Sequence, residues 1–255
     1  MGEIADWFRS LPLLTRYWFG LSIVFPVLGR FKIISPYHLI FIYNNVFKKF
    51  QIWRPFTAVF FYPMGLHYLV NLYFLYSYSM RLETSAYNGR PAEYLFMLLF
   101  NFICILIVAV FSEIQLLMDP MVLSVLYVWC QLNKEQIVSF WFGTHFKAVY
   151  LPWVLFAFNL VISGGGLYEL IGILVGHFYF FLNFQYPQEG GRQLLHVPAI
   201  LYKYFPNQSG SFGGFGQAPQ RRDPAGRGDT GNHNGQSRGW FGAHNWGTGH
   251  VLGRQ

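Results

Sequence analysis

The side chains that could do chemistry stand inside greasy sequence. His67 and Asn71 interrupt an apolar run at 56–78, and Glu169 and His177 interrupt another at 167–186. Four residues apart, His67 and Asn71 share one face of a helix and make that stripe of it polar. Such a stripe belongs against protein rather than lipid, because polar groups at membrane depth are costly. By the same argument Glu169 requires a partner or a water-filled cavity, which makes it the third member of an intramembrane polar face. Asn101 and Asn159 lie in further apolar runs and are its candidate neighbours. His177 needs no more than a packing role. No metal ion and no cofactor is expected.

Composition sets the solvent in which these groups must work. Hydrophobic residues make up 53% of the 255, aromatics 21% and charged residues 11%. Mean hydropathy is +0.29. A soluble domain carries about twice that charge, so the chain reads as a polytopic membrane protein. Its net charge of +7 is spread over the ends of apolar runs and the tail, which fits a topological role better than nucleic-acid binding. Cys104 and Cys130 both sit inside apolar runs and read as small buried side chains, not a disulfide framework. The first 16 residues carry Glu3, Asp6, Arg9 and Arg16, and the run that follows has no small-residue cleavage site, so no cleaved signal peptide is expected. Asp6 stands where a myristoylation signal needs Ser or Thr.

Six apolar runs bounded by charge, Gly or Pro lie at about 17–29, 56–78, 91–111, 116–132, 149–163 and 167–186. They predict an all-α membrane protein whose domain, 17–186, is a six-span helix bundle. With residues 1–16 in the cytosol, 13 of the 18 Lys and Arg fall on the cytosolic side; the other five, Arg30, Lys32, Lys48, Lys49 and Arg54, all lie in the first loop. That loop, 30–55, is too polar to span and too apolar to be solvated, so it is expected in the interface plane. On its own, Trp53 reads as an interfacial anchor and Arg54 as a snorkelling cation. The first and fourth spans, at about 13 to 17 residues, fall roughly 5 to 10 Å short of a ~30 Å hydrocarbon core. The bilayer must thin there, or protein must cover the ends. A Ser-Gly-Gly-Gly turn at 163–166 joins the last two spans, and Gly172-x-x-x-Gly176 in the sixth lets another helix backbone approach closely.

Beyond Tyr186-Pro187 the composition turns to Gly, Asn, Gln, Arg and Pro. Residues 187–255 are therefore expected to form a disordered cytosolic tail, apart from a short segment at 194–205. The glycosylation sequon Asn207-Gln208-Ser209 falls in it and would stay unmodified on the cytosolic side.

Several long motifs, taken in order, carry a resemblance. The runs beginning Trp53-Arg54-Pro55-Phe56, His67-Tyr68-Leu69-Val70-Asn71, Gly89-Arg90-Pro91-Ala92, Leu123-Ser124-Val125-Leu126-Tyr127 and Glu169-Leu170-Ile171-Gly172 closely resemble the Derlin family of endoplasmic-reticulum membrane proteins. The similarity covers essentially the whole chain. Derlins are relatives of the rhomboid intramembrane proteases. The resemblance implies a rhomboid-like bundle in which Trp53 and Arg54 match the first-loop Trp-Arg pair. His67 and Asn71 match the pair that helps form a rhomboid's oxyanion site. The dyad does not carry over. The fourth span has no Gly-x-Ser-Gly, and alignment places Leu123 at the nucleophile position and Glu169 at the base position. Ser124 and His177, as a displaced pair, would need another register and lack the glycines that give the Ser its close approach.

The resemblance thus implies a pseudoprotease with no catalytic residues: a multi-pass membrane protein of the endoplasmic reticulum with both termini cytosolic. Its implied role is to assist retrotranslocation of misfolded proteins in ubiquitin-dependent, endoplasmic-reticulum-associated degradation, with a link to the unfolded protein response. The implied partners are misfolded substrates, a membrane ubiquitin-ligase complex, the lipid bilayer, further copies or other Derlins, and the valosin-containing AAA ATPase. The tail end at 245–255 resembles the family's box for that ATPase. Trp246 is its aromatic anchor, Gly247 and Gly249 permit close docking, and Leu252 fills a pocket; His250 stands where Gln or Phe is usual. Residues 212–217 are a weaker second candidate. The alternative is an active rhomboid-type protease. A third reading, a small-solute channel, is opposed by the absence of an inverted repeat or paired broken helices.

Overall fold

The computed structural model describes residues 2–139, 144–163 and 166–207. The chain divides into two units, Met1–Phe215 and Gly216–Gln255, and every described residue belongs to the first. The candidate ATPase box at 245–255 and the segment at 212–217 lie outside the described residues, as does the middle of the 163–166 turn.

A short helix α1 (Gly2–Ser10) precedes α2 (Leu13–Arg30). Helix α2 has 18 residues, longer than the apolar run 17–29 from which it was expected. The extra turn exists because Glu83 caps it from far along the chain. The carboxylate accepts the open amides of Leu14 (3.0 Å) and Thr15 (2.8 Å), an anion where the helix dipole favours one. A relay of buried hydroxyls supports the cap: Tyr94 to Ser79 (2.6 Å), Ser79 to Thr15 (2.7 Å), and Thr15 to Glu83 (2.8 Å).

The first loop folds into α3 (Pro36–Leu39) and α4 (Tyr43–Lys48) and leads into α5 (Arg54–Phe60). Here the structure corrects the sequence reading, because 56–78 is not one span. Helix α5 ends at Phe60; the chain runs extended through Phe61 and restarts after Gly65 as α6 (Leu66–Phe74). Pro63 explains the break, since it lacks an amide and pushes Tyr62 out of the helical region. A π turn, Leu75–Ser79, then carries α6 into α7 (Met80–Thr84).

Helix α8 (Pro91–Ser112) is 22 residues, about 33 Å. Its outer stripe of Leu99, Ile103, Ile107 and Phe111 is exposed, while Met97, Asn101 and Ile105 are buried. A helix apolar on both faces has lipid as its outer solvent. Helix α9 (Met118–Leu132) is central: every residue from Met118 to Cys130 is buried. A two-stranded antiparallel hairpin follows, β1 (Ile137–Ser139) with β2 (His145–Lys147), pairing Val138 with Phe146. The all-α expectation missed it. Helix α10 (Leu151–Ser163) and α11 (Leu167–Phe180) come next, and α11 continues through a π turn (Phe181–Gln185) into α12 (Tyr186–Gln188).

The segment expected at 194–205 contains α13 (Ala199–Tyr204), and Leu195 and Phe205 pack on the core. This helix lies inside the segment set apart from the rest of the tail. Among the described residues, two helical stretches are long and apolar enough to cross a membrane: Pro91–Ser112, with mean hydropathy 2.8, and Leu167–Gln188, with 1.4. Helix α9 and the stretch Ala148–Val161 are apolar but shorter. Both cysteines are free thiols, Cys130 buried and Cys104 partly so.

What holds α11 on α9 is the absence of two side chains. A Cβ on Gly172 would stand 2.8 Å from the Pro120 carbonyl oxygen and 2.8 Å from Leu123 Cβ; one on Gly176 would stand 2.7 Å from the Ser124 carbonyl oxygen. Backbone cannot yield as a side-chain tip can. Gly176→Ala is therefore expected to lower the melting temperature of the detergent-solubilised protein, at a cost of roughly 1–3 kcal/mol. Gly65→Ala, with nothing within 4 Å, serves as the control, and equal melting of the two variants would refute the close-approach argument.

Candidate functional site

A polar cluster sits where α6, α9, α10 and α11 meet. Helix α6 supplies His67 and Asn71, one turn apart. Helix α9 supplies Asp119 in its first turn, α10 supplies Asn159, and α11 supplies Glu169 in its first turn. Asn71 Nδ2 donates to Asp119 Oδ1. Asn159 Nδ2 donates to Glu169 Oε1 at 2.6 Å and lies 3.4 Å from His67 Nε2. The other imidazole nitrogen, Nδ1, is joined to the Tyr62 hydroxyl at 2.7 Å. His67 Nε2 lies 4.0 Å from Glu169 Oε1. Asn71, Asp119 and Glu169 are buried. The group surrounds a cavity of about 20 Å³, walled on its apolar side by Leu123, Val122 and Leu155. That volume holds about one water.

His67, Asn71 and Glu169 thus stand together, with Asn159 among them. Asn101 does not join them: it donates from Nδ2 to Ser124 Oγ at 3.1 Å, on the α8 side of α9. The sequence reading passed over Asp119 and Tyr62. Asp119 was legible, since a carboxylate inside an apolar run falls under the same cost argument that marked Glu169. Tyr62 was not, because its role depends on the break at Pro63 that brings it back over His67.

The arrangement has hydrogen-bonding groups, and no serine stands among them. Leu123 lines the cavity, and a hydrocarbon cannot attack a carbonyl. Ser124 points elsewhere, its hydroxyl donating to the Met121 carbonyl at 2.8 Å, and His177 Nδ1 is joined to the Tyr127 hydroxyl at 2.9 Å. Nucleophilic catalysis needs serine and base in contact with each other, and these two have other partners.

Trp53 and Arg54 part company. Trp53 is 50% exposed, whereas Arg54 is 1% exposed, which rules out a snorkelling cation. The Arg54 guanidinium donates to the carbonyls of Tyr37 (2.6 Å) and Ile40 (3.1 Å) and to Gln51 Oε1 (2.5 Å), and lies 5.1 Å from the Tyr37 ring centre. With Thr57 Oγ1 donating to the Leu39 carbonyl at 3.1 Å, it ties the first loop to the start of α5.

A helical bundle with apolar outer faces and a polar cluster among four helices defines a helical membrane protein. The Der1-like family profile matches residues 11–199, and the chain belongs to that family. It is 52% identical over 261 aligned residues to Derlin-1 of Homo sapiens, covering 100% of both chains. To Derlin-1 of Caenorhabditis elegans it is 48% identical over 216 residues, 83% of this chain and 88% of the other. To Derlin-1 of Drosophila melanogaster it is 44% identical over 227 residues, 87% and 92%.

Asn71→Leu removes the donor to Asp119 and leaves a buried acceptor unmade, at an expected cost of about 1–3 kcal/mol. The double variant Asn71→Leu, Asp119→Leu should recover part of that loss in thermal unfolding in detergent. Additive losses would mean that the pair does not act as a unit.

Proposed function

We propose that this protein is a non-catalytic, six-span component of the endoplasmic-reticulum membrane. It assists the passage of misfolded proteins to the cytosol for ubiquitin-dependent degradation and recruits the valosin-containing AAA ATPase through its cytosolic tail. The observation that carries the reading is the polar cluster of His67, Asn71, Asp119, Asn159 and Glu169 around a cavity whose would-be nucleophile position is Leu123. A charged residue entering intact bilayer costs about 2.5–3.5 kcal/mol or more. Buried hydrogen-bonding groups at that depth lower the cost by replacing part of the lost hydration. At about 20 Å³ the cavity is not itself a conduit, so passage requires these helices to part or the polar face to be shared with a neighbouring protein. The family membership supports the endoplasmic-reticulum setting, the membrane ubiquitin-ligase complex as partner, association with further Derlins, and both termini in the cytosol. Helix α9, at about 22 Å, supports a locally thinned bilayer.

The motor-recruiting arm rests on Trp246, Gly247, Gly249 and Leu252 of the tail, and on nothing in the described structure. The expected result is micromolar binding of the full-length protein to the ATPase's N-terminal domain, weakened at least about tenfold by Trp246→Ala with Leu252→Ala. Equal binding by the variant would remove this arm and leave the bundle's role standing. The protease alternative is tested separately. A membrane-soluble fluorophosphonate is expected to leave Ser124 unlabelled, and stoichiometric labelling lost in Ser124→Ala would replace the pseudoenzyme reading.

A further inference from the structure

A second recess, unrelated to the polar cluster, opens between the C-terminal end of α2 and the first loop. Its volume is about 700 Å³, within the ~300–1,000 Å³ range of ligand pockets. Its walls are apolar, from Pro26, Phe61, Pro63, Met64 and Leu116, and its only charged lining residues are Arg30 and Lys32, both exposed. No Asp or Glu occurs anywhere from residue 30 to residue 54, although five Lys and Arg do. The rest of the site is held in place by Arg54, which fastens the carbonyls of Tyr37 and Ile40, two further lining residues.

Lys32 sits in a costly conformation. Its φ is +56°, in the left-handed region that favours glycine at a helix end. The turn is closed by Lys32 N–H to the Gly29 carbonyl (3.2 Å) and Ile33 N–H to the Leu28 carbonyl (3.1 Å). A glycine would make those bonds as well, so they give no reason for a lysine. Its place in the lining, with Arg30, does: two cations at an apolar recess suit a ligand with an anionic head and a hydrocarbon body.

We propose that this groove binds an anionic phospholipid, with its phosphate between Arg30 and Lys32 and an acyl chain along the Phe61, Pro63 and Met64 wall. Charge complementarity decides the head, and the apolar lining decides that the phosphate is a lipid's and not a free one. The proposal also accounts for the loop's departure from the positive-inside pattern. It rests on the membrane placement of the bundle and not on retrotranslocation or ATPase binding, so failure of either leaves it standing.

The test is native mass spectrometry of the full-length protein released from detergent containing equal amounts of phosphatidylserine and phosphatidylcholine. The wild type is expected to retain phosphatidylserine preferentially. Arg30→Gln with Lys32→Gln should lose it by about tenfold or more. Lys48→Gln with Lys49→Gln, two cations of the same loop outside the groove, should keep it, and Arg30→Lys with Lys32→Arg should restore it. Equal retention by the Arg30/Lys32 variant, equal loss in the Lys48/Lys49 variant, or no preference between the two lipids would overturn the proposal. Displacement of the bound lipid by millimolar glycerol 3-phosphate alone would also overturn it, since the site would then be one for a free phosphate ester.

Discussion

The rest of the molecule depends on the backbone contact between α9 and α11. Gly172 lies against Pro120 and Leu123, and Gly176 against Ser124 and Tyr127, so closely that a single methyl group would meet a carbonyl oxygen. Without a hydrophobic drive between helices in lipid, close packing of this kind supplies much of the attraction. Its consequence is positional. Because α11 touches α9 at Pro120 and Leu123, the first turn of α11 arrives beside the first turn of α9, and Glu169 and Asp119 come to line one cavity. The two carboxylates that most need partners are thus brought to the two amides, Asn71 and Asn159, that supply them.

The bundle handles its buried carboxylates in two ways. Glu83 is fully committed, accepting two backbone amides and a hydroxyl at the start of α2, and so fastens α2 to α7. Asp119 and Glu169 instead share a small cavity with an imidazole, and the contact across it from α10 to α6 is long, 3.4 Å between Asn159 and His67. A saturated network stiffens its surroundings, whereas one with spare acceptors and room for about a single water is where another polar chain finds hydrogen bonds.

The first loop follows the same logic at the edge of the bundle. Its aromatic residues Tyr37, Tyr43, Phe47, Phe50 and Trp53 are exposed while Phe41 is buried, and its path is set from inside by Arg54, whose guanidinium satisfies two of the loop's carbonyls. A lysine, with a single ammonium, could not reach both carbonyls and Gln51 with that planar geometry.

How much of this was legible without coordinates follows from the range of each interaction. Hydropathy is a local sum, so the apolar character of α8 and α11, the limits of α8 and the start of α11 were readable from the sequence alone. The His67/Asn71 stripe was readable because its periodicity is local. The break at Pro63 was also local and was passed over in favour of a continuous apolar run. What no local rule could supply is pairing at a distance. The Asn71 bond to Asp119 closes 48 residues, and the Glu83 cap on Thr15 closes 68. The burial of Arg54 depends on carbonyls 14 and 17 residues away that meet it only after the loop has folded. The sequence by itself determined the solvent the helices live in and which polar residues stand among apolar ones; the tertiary structure decided which polar groups find each other, because that depends on where close-packed backbones let helix ends converge.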